Sequence, residues 1–196
     1  MGESEDSKIS HPAGALATGE RVYLRYPGFE DQAEYIKLVD VSRSLHSPWE
    51  PLPPEGAAPA ASEAAFMAWL MGAENPSTER TLLCRLSDGA IVGRFHLNEI
   101  VRGAFQSAYM SYWVGAPFAG LGFMREGIQL ALHHAFEGVG LHRVEANIQP
   151  TNAPSIALAR GAGFRLEGYS ERYLKIAGEW ADHERWAMTL EDWRAR

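Results

Sequence analysis

Cysteine is almost absent from this chain of 196 residues, and its scarcity limits the kinds of site the chain can build. The single cysteine, Cys84, excludes an intramolecular disulfide and any metal site made of several thiolates. It lies in the strand-like run TLLCRL, so we expect a buried thiol in the core. No metal site is predicted.

Long apolar runs and excess positive charge are also missing. No run approaches the roughly 20 apolar residues that cross a bilayer, and the acidic first stretch lacks the apolar segment of a signal peptide. We therefore expect a cytoplasmic protein with no membrane partner. The net charge of −7 argues against direct nucleic-acid binding, because domains that bind phosphate backbones are usually basic. An acidic surface suits a cationic amine, and it also suits solubility alone.

Hydrophobic periodicity predicts one mixed α/β domain. Residues 1–19, rich in Gly, Ser, Ala and charge, indicate a flexible N-terminal tail, and residues 20–196 hold a single core. The predicted elements are a strand at 21–26, a helix at 29–43, a proline-rich loop, a helix at 62–71, strands at 81–86, 91–97 and 108–114, a helix at 122–136, a strand at 143–150, a helix at 153–160, and strands at 169–176 and 184–190. This order favours one sheet with helices packed on it.

A glycine-rich loop between a strand and a long helix is the most informative local feature. In VGAPFAGLGFM, Gly120 and Gly122 precede the helix and allow the backbone to approach a bulky anion. The first helical amides would face that anion, as a pyrophosphate site requires. A tight strand-to-helix turn explains the same residues.

A second feature is the run QPTNAPSIALARGAGF. Asn152 and Ser155 stand at the start of a short helix that directly follows a strand. Their side chains could contact an extended, amide-bearing ligand, or they could only cap the helix.

Taken together, these features resemble the Gcn5-related N-acetyltransferases (GNAT) in order and spacing. The resemblance extends to the RimJ/RimL-like ribosomal-protein-alanine N-acetyltransferases and the microcin-acetylating enzymes. It is carried by PWEP (48–51), IVRGAFQSAYMSYWVG (100–115), LHRVEANIQPTN (141–152) and GFRLEGYSERYLKIAGEWADH (163–183). It implies a single-domain GNAT fold with a mixed, mostly antiparallel central sheet flanked by helices. It also implies that strands Ala108–Gly115 and Arg143–Gln149 splay apart to receive the pantetheine of acetyl-coenzyme A (acetyl-CoA).

Site residues follow from this resemblance and from the residue types. The cofactor-binding candidates are Trp113, Val114, Gly120, Leu121, Gly122, Phe123, Met124, Asn147, Asn152 and Ser155. The candidates for the wall of the substrate pocket are Trp49, Phe105 and Tyr112.

Acetyl transfer also needs a base for the amine and a proton for the departing thiolate. Glu99, at the end of a predicted strand, is the first candidate base, with Tyr109 and Glu145 in reserve. Ser155 or Tyr112 could protonate the thiolate.

Three functions remain open from the sequence. The first is acetylation of a protein N-terminus, which the RimJ-like segments favour. The second is acetylation of a small amine such as an antibiotic or an aminoacyl-nucleotide. The third is a catalytically silent domain that binds acetyl-CoA or a protein partner. The sequence leaves the oligomeric state open, whether monomer or dimer.

Overall fold

The computed structural model describes residues 12–196 of the chain. Across these residues the chain forms one eight-stranded sheet and five α-helices. The strands are β1 (Ala15–Thr18), β2 (Val22–Arg25), β3 (Glu79–Arg85), β4 (Ile91–Val101), β5 (Ser107–Val114), β6 (Arg143–Ile148), β7 (Arg165–Ile176) and β8 (Glu179–Thr189). The helices are α1 (Gln32–His46), α2 (Glu63–Met71), α3 (Phe123–His133), α4 (Ala153–Ala162) and α5 (Leu190–Arg194).

The sheet is mixed but mostly antiparallel. Its strands follow the order β1-β2-β3-β4-β5-β6-β8-β7. Only β5 and β6 are parallel neighbours among the described strands, and α3 provides the crossover that a parallel pair requires. The predicted single α/β domain with helices flanking a mixed sheet is confirmed.

The parallel strands β5 and β6 separate soon after they meet. Their pairing covers only residues 107–109 against 143–145. Beyond this point β5 stays paired with β4 as far as Val114, while β6 stays paired with β8 as far as Ile148. A gap therefore opens between the two strands, as predicted.

Helices cover both faces of the sheet. On one face Tyr35 of α1 and Phe66 of α2 share a buried cluster with Trp113 of β5. On the other face α3 approaches the sheet closely at Gly127, where a Cβ atom would lie 2.5 Å from the Leu83 side chain. These two helical layers hold the C-terminal ends of α1 and β5 and the N-terminal end of α3 near the gap.

Local signals explain several element boundaries. The Ser62 hydroxyl caps α2 by accepting a hydrogen bond of 3.2 Å from the Ala65 N–H group, as its residue type predicted. Ala177 and Gly178 both have positive φ angles, of 48° and 93°, which suits the tight turn between β7 and β8. Cys84 is buried in the core, as expected.

The structure differs from the sequence-based prediction at both ends of the domain. Residues 1–11 of the predicted tail lie outside the described residues, but Ala15–Thr18 pairs with β2, so the tail prediction is wrong for that segment. The edge of β2 offers main-chain hydrogen bonds that even a short apolar segment can complete. Near the C-terminus, Thr189 caps α5 by accepting a hydrogen bond from the Asp192 N–H group at 3.2 Å. The observed strand β8 therefore ends one residue before the predicted strand does.

The helix predicted at residues 122–136 also ends differently. It is α-helical over Phe123–His133 and continues as a π-helical turn over His134–Gly138. Among the described residues, no helix combines the length and apolar character needed to cross a membrane.

Candidate active site

A cavity of about 960 Å³ opens along β5 beside the gap. One side, here called the donor side, is formed by the glycine loop, the start of α3 and the start of α4, and includes Gly120, Gly122, Met124, Arg125, Asn152 and Ser155. The other side, here called the acceptor side, is formed by the end of α1, the segment after α1 and strand β4. It includes His46, Trp49, Glu50, Arg94 and His96. Ligand sites commonly measure roughly 300–1,000 Å³, so this cavity lies at the upper end of that range.

The glycine loop carries the conformation that its sequence predicted. Gly120 and Gly122 have φ angles of 76° and 81°, in the left-handed region that favours glycine. A Cβ atom at Gly120 would meet no atom within 4 Å, so the backbone conformation, not crowding, requires glycine there. Gly122 is also the N-cap of α3 and provides no side-chain cap, which leaves N–H groups of the first turn available for an anion.

The main chain of β5 presents unpaired groups to the gap. The Gly115 N–H group donates to the Val92 carbonyl at 2.8 Å, so alternate residues, including Trp113 and Ser111, direct their main-chain groups toward β4. The intervening Tyr112 and Val114 direct theirs away from β4. Because β6 has diverged at this level, the N–H groups of Tyr112 and Val114 are free to bind a ligand.

Tyr112 and Ser155 connect β5 to the start of α4. The Tyr112 hydroxyl donates to the main-chain carbonyl of Ser155 at 3.0 Å, and burial raises the pKa of Tyr112 well above its ordinary value. The Asn152 side-chain oxygen accepts from the Ser155 N–H group at 3.3 Å, which is a helix cap. The side-chain hydroxyl of Ser155 takes part in neither bond, and Ser155 lines the cavity.

An orphaned acceptor lies on β6. The side-chain oxygen of Asn147 is buried and has no hydrogen-bond partner within residues 12–196. A buried amide oxygen without a donor is costly, and a ligand N–H group would satisfy it. Asn147 is outside the cavity wall itself.

A carboxylate and a guanidinium group lie together on the acceptor side. Glu50 is the only acidic side chain that the described residues contribute to the cavity wall. One of its oxygens lies 3.8 Å from the Arg94 guanidinium, which also donates to the Tyr35 hydroxyl and lies over the Trp113 ring. The Ala177 N–H group donates to the Glu50 carbonyl at 3.0 Å and ties this segment to the β7–β8 turn.

Two histidines in the same wall are held neutral by burial, which lowers the pKa of each. His46 donates through Nε2 to the Val114 carbonyl at 2.7 Å, so its Nδ1 is the unprotonated nitrogen. His96 accepts through Nε2 from the Trp69 indole N–H group at 3.0 Å, so its proton is on Nδ1. His46 therefore offers an acceptor nitrogen, and His96 offers a donor.

Most of the sequence-predicted site residues come together in this cavity. Nine of them line it: Trp49, Tyr112, Trp113, Val114, Gly120, Gly122, Met124, Asn152 and Ser155. Leu121 and Phe123 belong to the glycine loop, but the Leu121 side chain is exposed and that of Phe123 joins the core.

The remaining predicted residues lie elsewhere. Glu99 is exposed, has a φ angle of 51° and falls within the irregular stretch of β4, and it is not in the cavity wall. Phe105 is exposed on the connection between β4 and β5, also outside the wall. Tyr109 lies opposite Glu145, whose carboxylate accepts from Arg143 at 3.0 Å and Arg185 at 2.9 Å. Catalytic roles for Glu99 and Tyr109 stay predictions that no contact with the cavity supports.

Sequence reasoning missed Arg94, His46 and His96, and it placed Glu50 beside the acceptor without giving it a catalytic role. One signal was present for the β4 pair, because Arg94 and His96 alternate with apolar residues and therefore share a face. No periodicity exists in the proline-rich segment around Glu50. Within the described residues, no group of three or more His, Cys, Asp or Glu side chains is arranged to hold a metal ion.

Comparisons with known proteins match this geometry. A family model described as an acetyltransferase (GNAT) domain matches residues 21–165. The structure is similar to that of Mycobacterium smegmatis RimJ in complex with CoA-disulfide, with a TM-score of 0.80 and 30% identity over 87% of this chain and 83% of that one.

Two curated relatives match over a shorter stretch. The [ribosomal protein uS5]-alanine N-acetyltransferase of Escherichia coli is 37% identical over 103 residues, or 53% of each chain. The probable N-acetyltransferase YjcK of Bacillus subtilis is 37% identical over 106 residues, covering 54% of this chain and 59% of its own length. The chain thus spans little more than half the length of these relatives.

Proposed function

The chain belongs to the GNAT family of acetyltransferases, and we propose that it transfers an acetyl group from acetyl-CoA to the N-terminal α-amine of a protein, with a ribosomal protein in the cytoplasm as the acceptor. The observation that carries this proposal is the two-sided cavity, with main-chain donors on one side and a carboxylate on the other. Acetyl-CoA supplies a thioester, whose acetyl carbon bonds to the amine nitrogen as the C–S bond breaks. One proton must leave the nitrogen and one must reach the sulfur.

The donor side fits coenzyme A. Residues 120–124 present left-handed glycines and the open N-terminus of α3, which suit a pyrophosphate. Arg125 lines the same side and adds positive charge. The unpaired main-chain groups of β5 suit the amides of a pantetheine arm. Asn147, which lies outside the cavity wall, stays a predicted cofactor contact.

The middle of the cavity supplies the groups that acetyl transfer needs. The N–H groups of Tyr112 and Val114 face the gap and can donate to a thioester oxygen as negative charge develops on it. The Ser155 hydroxyl is the uncommitted donor for the departing thiolate. Tyr112 is a poorer donor because its own hydroxyl is committed to the Ser155 carbonyl.

Glu50 is the group that receives the proton from the amine. Its carboxylate lies in the acceptor wall, whereas Glu99 does not. The Arg94 guanidinium lies 3.8 Å from the Glu50 carboxylate and orients it without closing a short ion pair, so the carboxylate oxygens stay available to the amine.

An α-amine suits this site better than a lysine side chain. An α-amine has a pKa of about 7.7–8.0, so a useful fraction is neutral near physiological pH and a carboxylate suffices as the base. A lysine side chain, with a pKa of about 10.4, would be mostly protonated. The alanine acetyltransferase of ribosomal protein uS5 is among the relatives and favours the same acceptor class.

The test is a competition between acceptors. Purified protein and acetyl-CoA are incubated with three kinds of acceptor. The first is a peptide that begins with free alanine, the second is that peptide with its N-terminus blocked and one internal lysine added, and the third is a panel of small amines. Mass spectrometry then measures the acetylated fraction of each over time. We expect the free N-terminal peptide to react fastest.

A blocked peptide without lysine serves as the control and should not react. If the lysine peptide reacts faster, the α-amine assignment is wrong. If only small amines react, the small-amine function replaces it, and binding of acetyl-CoA without turnover of any acceptor would favour the silent domain.

A further inference from the structure

Arg21 and Glu126 join the beginning of β2 to the first turn of α3. The Arg21 Nε atom lies 3.2 Å from one Glu126 carboxylate oxygen, and the Arg21 main-chain N–H group donates to the other at 2.8 Å. The Val22 N–H group donates to that second oxygen as well, at 3.3 Å. Gly19 makes room for the carboxylate, since a Cβ atom there would lie 2.2 Å from its oxygen.

The rest of the Arg21 guanidinium binds the glycine loop. Nη1 donates to the Leu121 carbonyl at 3.3 Å, and Nη2 donates to the Gly122 carbonyl at 3.2 Å. The guanidinium also lies over the Phe123 ring, with its central carbon 5.0 Å from the ring centroid. One planar group thereby fixes two consecutive peptide units just before α3.

These bonds determine where the loop amides point. In a planar trans peptide the C=O and N–H bonds point in opposite directions. The carbonyls of Leu121 and Gly122 face Arg21, so the N–H groups of Gly122 and Phe123 face away from it. Gly122 lies in the cavity wall, whereas Arg21 and Phe123 do not, so the side of the loop opposite Arg21 is the side that can present N–H groups to the cavity.

We infer that Arg21, oriented by Glu126, is a positioning residue that sets the glycine loop to bind the pyrophosphate of coenzyme A. This inference rests on the proposed function for the identity of the anion. Arg21 acts through geometry more than through charge, because Glu126 compensates its positive charge and the guanidinium does not reach the cavity. A lysine at this position would keep the charge but could not bridge a carboxylate and two carbonyls at once.

Binding of coenzyme A tests the inference without any acceptor. Calorimetry measures the Kd of coenzyme A for the wild type, Arg21→Met, Arg21→Lys and Glu126→Gln. We expect both Arg21 variants to weaken binding at least about tenfold, as expected for losing one or two oriented hydrogen bonds, and Glu126→Gln to weaken it less. Pantetheine, which lacks the pyrophosphate, should bind all variants equally in NMR titrations.

Hydrogen exchange provides a second readout. Amides of residues 119–125 should exchange faster in Arg21→Met while the strands keep wild-type protection. The matched control is Arg43→Met, which removes an exposed arginine of α1 that pairs with Asp40 at 3.0 Å and makes no hydrogen bond to the glycine loop in the described part of the chain. That variant should retain wild-type affinity and wild-type exchange in the loop.

Several outcomes would overturn the inference. Wild-type affinity for coenzyme A in a folded Arg21→Met protein would do so. An equal loss of affinity for coenzyme A and for pantetheine, or wild-type affinity for coenzyme A in Arg21→Lys, would do so as well. A wild-type protein that fails to bind coenzyme A would refute the proposed function together with this inference. Wild-type binding that is insensitive to Arg21 would refute the inference alone.

Discussion

Alanine substitutions at Asn152 and Ser155 should separate the helix cap of α4 from the chemistry of the cavity. Asn152 accepts the Ser155 N–H group at 3.3 Å, and the neighbouring Pro154 has no N–H group to offer. Loss of such a cap costs about 1 kcal/mol of unfolding free energy, within a range of roughly 0.5–2 kcal/mol. For a domain of this size, the melting temperature should fall by about 2–4 °C for each kcal/mol.

Ser155→Ala should have the opposite profile. The variant keeps the N–H group that Asn152 caps and the carbonyl that accepts from Tyr112, so both bonds survive. Its unfolding free energy should stay within about 0.5 kcal/mol of the wild type. If the hydroxyl protonates the thiolate, kcat should fall by about 100-fold or more, the lower end of what a positioned acid contributes.

Thermal unfolding and steady-state kinetics on the same preparations distinguish the two roles. Asn152→Asp, which keeps a capping oxygen, is the matched control and should retain wild-type stability. Wild-type kcat in Ser155→Ala would eliminate the hydroxyl as the proton donor. Wild-type stability in Asn152→Ala would show that the observed hydrogen bond does not hold the helix start.

Two further pairs of variants test the two sides of the cavity. Glu50→Gln should lower kcat/KM for the amine by at least about tenfold without changing the affinity for coenzyme A, as expected on losing a base. Glu55→Gln, an exposed change on the same segment, should leave the steady-state kinetics unchanged. Equal activity of the two variants would exclude Glu50 as the base. Gly120→Ala and Gly140→Ala impose the same strain of about 1–2 kcal/mol, because both glycines have a φ angle of 76° and open space around the missing Cβ. Only Gly120→Ala should reduce the thermal stabilisation by coenzyme A, and an unchanged shift would contradict the placement of the pyrophosphate.

The donor side could be predicted from sequence because its signals are local. The glycine loop occupies consecutive positions between a strand and a helix, and Asn152 occupies a cap position that residue type alone indicates. The gap between β5 and β6 depends on distant segments, and only the family resemblance implied it.

Glu99 shows why the predicted base lies outside the cavity. The sequence predicts it only as a carboxylate at the end of a strand. The pairing of β4 with β5 is irregular between Asn98 and Val101, and Glu99 has a positive φ angle there. Such an irregularity changes which face the following side chains occupy, and nothing in the residue types of that stretch marks it.

The acceptor side, in contrast, is built from contacts between distant segments. Glu50 is fixed by the Ala177 N–H group, Arg94 by Tyr35, and His46 by the Val114 carbonyl, which lies 68 residues away. Each contact needs the folded sheet, so no window of sequence contains it. Among the described residues, main-chain hydrogen bonds tie the segment that carries Glu50 to the β7–β8 turn and not to the glycine loop, so the two sides of the cavity are held separately. Under the proposed function the cofactor site therefore carries no information about the acceptor, and the acceptor assay must identify the amine.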